Sequence, residues 1–120
     1  WKADQWTNDA CLAHFGLTRE EAAAIPLVSG GIIGRDFRNE VAREFFRQYA
    51  EAMNAGVFKG SWTAVPEEGS GDRYRGHRHD QSCASSIGYR MGLFRQPEQT
   101  YDYYCQPSLP DTVEIALAGL

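Results

Sequence analysis

Residues 76–91, GHRHDQSCASSIGYRM, place a polar cluster directly before a segment with the apolar spacing of a helix. Cys83, Ile87 and Met91 recur every four residues, which predicts one buried stripe along that helix. The polar cluster, defined here as residues 76–82, therefore lies at a helix N-terminus. Partial positive charge and free N–H groups at such a place suit a phosphate or a sugar hydroxyl.

Asp80 or Ser82 is expected to cap the first turn of this helix. If His77 and His79 precede it in extended backbone, their side chains point to the same face. The plain alternative is that Asp80 is only a cap, Gln81 only a first-turn residue, and the histidines only part of a solvated loop.

A longer amphipathic helix is predicted over Phe37–Asn54, and Gly56 is expected to end it. The apolar positions of its predicted buried stripe are Val41, Phe45, Phe46, Tyr49, Ala52 and Met53. Two short helices are predicted before it. The first is capped near Asn8 and ended by Gly16, and the second begins with a capping box at Thr18.

Three segments are predicted to be strands: Leu27–Ile33, Tyr101–Cys105 and Thr112–Leu117. Together with the helices Phe37–Asn54 and Ser82–Met91, they predict an α/β fold with a small mixed sheet. In the first strand the pair Gly30-Gly31 indicates either a bulge or a place where a ligand comes close.

Composition restricts the class of protein. The length of 120 residues fits one domain, and 42% apolar with 23% charged residues is typical of a soluble globular chain. A net charge of −4 argues against nucleic-acid binding, and no apolar run is long enough to span a membrane. Three widely spaced cysteines argue against a disulfide framework and lack paired metal-ligand spacing, and a single disulfide between Cys11 and Cys105 stays open. The sequence does not determine the compartment, with a slight preference for the cytoplasm. Because the chain starts at Trp1 without an initiator Met, we expect it to be an excised domain, a processed product or a truncated reading frame.

The order of the motifs resembles the C-terminal half of GT-A-fold, nucleotide-sugar-dependent glycosyltransferases, especially the glycogenin-like and bacterial galactosyltransferase-like families. Those families carry a strand of the pattern Asn-(Ala/Ser)-Gly-aliphatic, a helix, a loop, and Asp-Gln before another helix. Here Ser29-Gly30-Gly31-Ile32 and Asp80-Gln81 stand at the two motif positions. Ser29 replaces the usual Asn, and the chain has no Asp-x-Asp pair.

The resemblance implies transfer of a sugar from a nucleotide-sugar donor to a carbohydrate or glycan acceptor. In that reading Asp80 binds donor-sugar hydroxyls and Gln81 presents its amide near the anomeric carbon, so these two are the expected catalytic residues. The residues expected to bind substrate are Ser29, Gly30, Gly31 and Arg78. A manganese or magnesium ion is the expected cofactor. The chain would be the acceptor-side half of a larger domain, inactive by itself.

Two other functions fit the same residues. His77 and His79 could bind a divalent metal together with Asp80, given help from a more distant ligand. Alternatively, Trp62 and the tyrosines could present an aromatic surface to a carbohydrate or a protein without catalysis. In the enzymatic reading, His77, His79, Asp80 and Gln81 are expected to line one concave, partly exposed surface, with Gly30-Gly31 as its floor.

Overall fold

The computed structural model describes residues 1–28 and 36–94. Five helices occur in these ranges: α1 Ala3–Trp6, α2 Asp9–Phe15, α3 Arg19–Ala22, α4 Glu40–Asn54 and α5 His79–Arg90. The same ranges contain no strand, and their only extended pairing is an isolated antiparallel bridge between Lys2 and Pro26. None of the helices found in them is long and apolar enough to cross a membrane.

The prediction of an α/β fold with a small mixed sheet is wrong for this part of the chain, which is helical. A strand needs a neighbouring backbone that accepts its N–H groups. Here the Val28 N–H donates instead to the Ser85 hydroxyl on α5, at 2.9 Å. The rest of the predicted strand after Val28, and the strands Tyr101–Cys105 and Thr112–Leu117, lie outside the described residues.

The short helices α2 and α3 begin and end as their sequences predict. The Asn8 side chain accepts a hydrogen bond from the Cys11 N–H at 2.8 Å, and Gly16 ends α2 with a left-handed φ of 63°. Thr18 and Glu21 form the reciprocal capping box at the start of α3. Local side-chain chemistry therefore sets these boundaries.

Helix α4 is the longest of the five and confirms the predicted long helix, although it begins at Glu40 and not at Phe37. Its start is set by Asn39, whose side chain accepts a hydrogen bond from the Val41 N–H at 2.8 Å. Gly56 follows the helix with a φ of 77°. The start differs from the prediction because the capping side chain lies two residues after Phe37.

The buried face of α4 differs from its predicted stripe. Phe45 and Ala52 are buried as expected, but Val41, Phe46 and Met53 are 41%, 45% and 53% exposed. A helix advances about 100° per residue, so positions spaced by four drift about 40° at each step. The ends of the predicted stripe therefore turn away from the core, and Ala42 is buried in place of Val41.

Helix α5 is the central element of the described fold, since it packs against α1, α2 and α4. Every residue from Ser82 to Gly88 is buried. The main core cluster comprises Cys11, Phe15, Phe45, Ala52, Cys83, Ala84 and Ile87. The predicted helix Ser82–Met91 is thus confirmed, with an earlier start at His79 and its last helical residue at Arg90.

Candidate functional site

The imidazole of His77 joins two distant segments beneath the start of α5. Its Nδ1 accepts a hydrogen bond from the Asn8 N–H at 3.2 Å, so its Nε2 carries the ring proton and donates to the Val57 carbonyl at 3.1 Å. The backbone N–H of His77 donates to the Ser61 carbonyl at 2.7 Å. The side chain is completely buried. His77 therefore holds together the start of α2 and the segment 57–61.

Burial has a clear electrostatic effect on His77. Loss of water around the ring lowers the pKa of His77 from 6.5 to about 4, against a smaller opposing effect of its hydrogen bond to Val57. The ring is therefore neutral at physiological pH. A neutral imidazole with both nitrogens in hydrogen bonds serves as a structural element of the site.

Two glycines allow the backbone segments around His77 to approach each other closely. A Cβ at Gly60 would lie 2.8 Å from Cδ2 of His77, and one at Gly76 would lie 2.2 Å from the Trp62 carbonyl oxygen. Gly76 also has a φ of 141°, which favours glycine. Both positions therefore require glycine for steric reasons, and they bring residues 60–62 against the polar cluster.

His79 is the first residue of α5 and has an unusual backbone conformation, with a φ of 42°. Its Nε2 donates to the Gly60 carbonyl at 3.0 Å. Its ring contacts the Trp62 ring edge to face, with centroids 5.0 Å apart. The strained conformation is thus fixed by contacts on the segment 60–62, and it places the start of α5 next to Trp62.

Arg78 lies between two tryptophans. Its Cζ is 4.0 Å from the centroid of the Trp6 ring and 4.6 Å from that of Trp62. Trp1 contacts Trp6 in turn, with centroids 5.5 Å apart. We call Trp1, Trp6, Arg78 and Trp62 the tryptophan platform. The partial burial of the guanidinium lowers the pKa of Arg78 from its usual value, and cation–π attraction stabilises the stack.

The cap predicted for α5 is wrong. Arg78 is the N-cap residue, and its side chain makes no capping hydrogen bond. Its N–H donates to the Ser82 hydroxyl at 3.1 Å, and that hydroxyl donates to the Trp6 carbonyl. Asp80 lies in the first turn of α5, but within the described residues its carboxylate accepts no capping hydrogen bond. Ser82 is turned into the core by its bond to α1, which sequence spacing could not show.

Asp80 and Gln81 have side chains that are not engaged in the fold. Asp80 is exposed and Gln81 is half-buried. Within residues 1–28 and 36–94, no group hydrogen-bonds to the Asp80 carboxylate or to the Gln81 side-chain amide. Two strong hydrogen-bonding groups are therefore available to a ligand at the start of a buried helix, where a first-turn carboxylate also benefits from the helix dipole.

The other predicted site residues are only partly described. Ser29, Gly30 and Gly31, and with them the floor predicted for the site, lie outside the described residues. Arg78 belongs to the tryptophan platform. His77 is buried and does not lie on an exposed surface, whereas His79 is half-buried beside Trp62.

The metal prediction for His77 and His79 stays a prediction. Nδ1 and Nε2 of His77 and Nε2 of His79 all make hydrogen bonds to backbone groups. In the described ranges no group of three or more His, Cys, Asp or Glu side chains is placed to hold a metal ion. A metal here would have to displace at least one of these hydrogen bonds.

Sequence reasoning missed the role of Trp1 and Trp6. The signal available was their number and position: the chain has three tryptophans, and two of them lie in its first six residues. Their proximity to Trp62 depends on long-range packing, which spacing along the chain does not reveal.

Comparison with known proteins gives no family for this fold. No family model matches the chain, and neither a curated protein nor a solved structure matches it significantly.

Proposed function

We propose that the first turn of α5 and the tryptophan platform bind a sugar, as the sugar-recognising part of a nucleotide-sugar-dependent glycosyltransferase. The observation that carries the proposal is an exposed aromatic ring in contact with the first residue of α5, the helix whose next two residues have available polar side chains. Asp80 and Gln81 follow His79 in the same helical turn, and His79 contacts Trp62, which is 61% exposed.

Sugar recognition needs both kinds of group. Hydroxyls require fixed acceptors and donors, which a carboxylate and an amide supply. The apolar C–H face of a sugar ring packs on a flat aromatic side chain such as Trp62. Because Arg78 covers one face of Trp62 and His79 contacts its ring, the indole has little freedom to rotate. A preorganised ring binds with a smaller entropic cost.

Transfer of the sugar is supported by the resemblance of Asp80-Gln81 to the glycosyltransferase motif. In this proposal Asp80 fixes the donor-sugar hydroxyls and Gln81 places an amide dipole near the anomeric carbon, where positive charge develops during transfer. A manganese or magnesium ion remains part of the proposal; its protein ligands would have to come from outside the described residues, and it would supply positive charge to the donor's leaving group.

A non-enzymatic carbohydrate-binding function is the second candidate, favoured by the same exposed Trp62. The two candidates differ in the ligand that they require. A binding domain recognises free sugars or glycans without the nucleotide, whereas a transferase also recognises the nucleotide-sugar donor.

The test is titration of the ¹⁵N-labelled protein, followed by NMR, with a panel of nucleotide sugars, with and without manganese, and with the corresponding free sugars. We expect chemical-shift changes at residues 78–81, and we expect Asp80→Asn to weaken binding at least about tenfold, since a charge-assisted hydrogen bond to a sugar hydroxyl is lost. Asp72→Asn is the matched control, because Asp72 is also an exposed carboxylate in the same part of the chain.

Three outcomes separate the possibilities. Binding of nucleotide sugars that depends on Asp80 supports the transferase. Binding of free sugars alone supports the non-enzymatic domain. If neither class of ligand shifts residues 78–81, or if Asp72→Asn weakens binding as much as Asp80→Asn, the proposed site is wrong.

A further inference from the structure

Two of the three cysteines of the chain lie in contact in its core. Cys11 belongs to α2 and Cys83 to α5, and their Sγ atoms are 3.8 Å apart although 72 residues separate them in the sequence. Both side chains are completely buried. The contact therefore depends on the packing of α2 against α5, and it involves none of the residues of the proposed sugar site.

The part of α5 around Cys83 allows α2 to come closer. The five consecutive buried residues from Ser82 to Ser86, SCASS, all have small side chains. A disulfide requires an S–S distance of about 2.05 Å, so the two sulfurs have to move about 1.8 Å closer. Rotation of both side chains and a small shift of the seven-residue α2 bring them together. No long side chain in this part of α5 has to move for that approach.

We propose that Cys11 and Cys83 are a site of disulfide formation, which links α2 to α5 when the chain folds in the presence of a small-molecule disulfide such as glutathione disulfide. The thiolate of one cysteine attacks a sulfur of that disulfide and releases one glutathione. The second cysteine then attacks the mixed disulfide and releases the second glutathione. The two protein thiols lose two electrons and two protons, which the glutathione disulfide gains, so that one S–S bond replaces another.

This exchange takes place before the core has closed. In the folded protein both thiols lie in the main core cluster, together with Phe15, Ala84 and Ile87, and neither is accessible to a small disulfide. The hydrogen bond with the Cys11 thiol, together with burial, also raises the pKa of Cys83, which keeps that thiol in its unreactive protonated form. The pair is therefore reactive while α2 and α5 are apart and inert once they are packed.

The same protection preserves whichever redox state the pair has when folding ends. A chain that folds among small disulfides carries the bond, whereas a chain that folds among small thiols keeps two thiols in contact, as in this structure. The bond spans 72 residues, and a link across a long loop stabilises a protein mainly by restricting its unfolded chain. The oxidised form is therefore expected to be the more stable one.

The third cysteine makes the pairing testable. Cys105 lies outside the described residues, and three different pairs are possible among three cysteines. If the bond forms as α2 and α5 pack, only the pair that this packing brings together is linked. The pairing found after oxidative refolding therefore reports whether the helix contact directs the chemistry.

The experiment is refolding of the full chain from urea in a buffer of reduced and oxidised glutathione and, in parallel, in dithiothreitol. Free thiols are then alkylated in urea, the chain is digested with trypsin without reduction, and the peptides are identified by mass spectrometry. In glutathione we expect a monomer with a linked pair of peptides containing Cys11 and Cys83, and with Cys105 alkylated. In dithiothreitol we expect all three cysteines to be alkylated.

Urea denaturation of the two forms measures the effect of the bond. The oxidised form should unfold at a urea concentration higher by at least about 1 M, because the unfolded chain is restricted across a long loop. Cys105→Ser is the matched control, since it removes a cysteine and leaves the pair intact, and it should show the same rise. Cys83→Ala, which removes one partner, should show no difference between the two refolding buffers.

Three results would overturn the proposal. The first is a link that involves Cys105 in place of the pair Cys11–Cys83. The second is a chain that refolds in the glutathione buffer with all three thiols free, which would make the pair a core contact only. The third is a Cys11–Cys83 form that unfolds at a lower urea concentration than the reduced form, because the packed helices would then not accommodate the bond.

Discussion

Lowering the pH from 7 to 4 is expected to destabilise the protein through one residue, His77. The buried ring accepts the Asn8 N–H through Nδ1. Protonation of Nδ1 would place its new N–H against the Asn8 N–H in a fully buried site. The folded state therefore disfavours protonation of His77. The unfolded chain takes up the proton freely.

The sign and size follow from the pKa of His77, which is about 4 in the folded protein and 6.5 ordinarily. Well above pH 6.5 the ring is neutral in both states, and His77 adds no pH dependence. As the pH falls from 6.5 to 4, the unfolded state binds the proton first, and stability is lost at up to about 1.4 kcal/mol per pH unit. The full loss is about 3 kcal/mol and is complete below pH 4.

Urea denaturation at half-unit steps between pH 7.5 and 4 measures this dependence. We compare the wild type with His77→Gln, which cannot be protonated, and with His14→Gln, which removes an exposed imidazole from α2. The difference between wild type and His77→Gln should shrink by about 3 kcal/mol as the pH falls. His14→Gln should follow the wild type.

If His77→Gln is too unstable to measure, the imidazole carbon shifts of the folded wild type give the pKa of His77 directly by NMR. A pKa near 6.5 would refute the reasoning, because it would mean that the buried ring accepts the proton as easily as a solvated one.

Two further predictions concern the core and the glycines. Gly76→Ala should lower the free energy of unfolding by more than about 2 kcal/mol, since its Cβ meets a backbone carbonyl and its φ is 141°. Gly92→Ala, with a φ of 66° and no atom of the described residues within 4 Å of the added Cβ, should cost only about 1 kcal/mol, and equal losses in urea denaturation would contradict the steric argument. Cys11 and Cys83 should escape alkylation in the reduced native protein and react in urea, because both are fully buried and because the hydrogen bond with the Cys11 thiol, together with burial, raises the pKa of Cys83. Mass spectrometry of their peptides checks this, and rapid native labelling of either would show that α2 and α5 separate readily.

Local signals were sufficient to predict the helices and their ends. Asn8, Gly16 and the Thr18 capping box act within a few residues of the boundaries that they set, so sequence shows them directly. The long helix α4 was predictable for the same reason, from its periodicity and from Gly56. Its buried face was predicted less well, because a spacing of four only approximates the helical repeat.

Features that depend on distant contacts could not be predicted. His77 looks like part of a solvated loop in the sequence, and only its partners Asn8 and Val57 make it a buried ring. The sequence predicts that Ser82 caps α5, whereas its hydroxyl donates a hydrogen bond to the distant Trp6 carbonyl and its side chain is buried. The sheet was inferred from β-branched residues near Leu27, but β propensity depends on the neighbours that a segment finds.

The buried position of α5 has a consequence for the synthesis of the chain. Its partners on α1 and α2 are separated from it by long stretches of sequence: Asn8 and His77 are 69 residues apart, and Trp6 and Ser82 are 76 apart. A chain emerging from the ribosome exposes its N-terminal segments first. Until α5 is made, Cys11 and Phe15 lack the helix that covers them. The first three helices can pack on one another through Ala3, Leu12, Ala22 and Ile25, but the main core is expected to form only after α5 is made. Folding should therefore follow translation of this region and be slower than in helical proteins with local contacts.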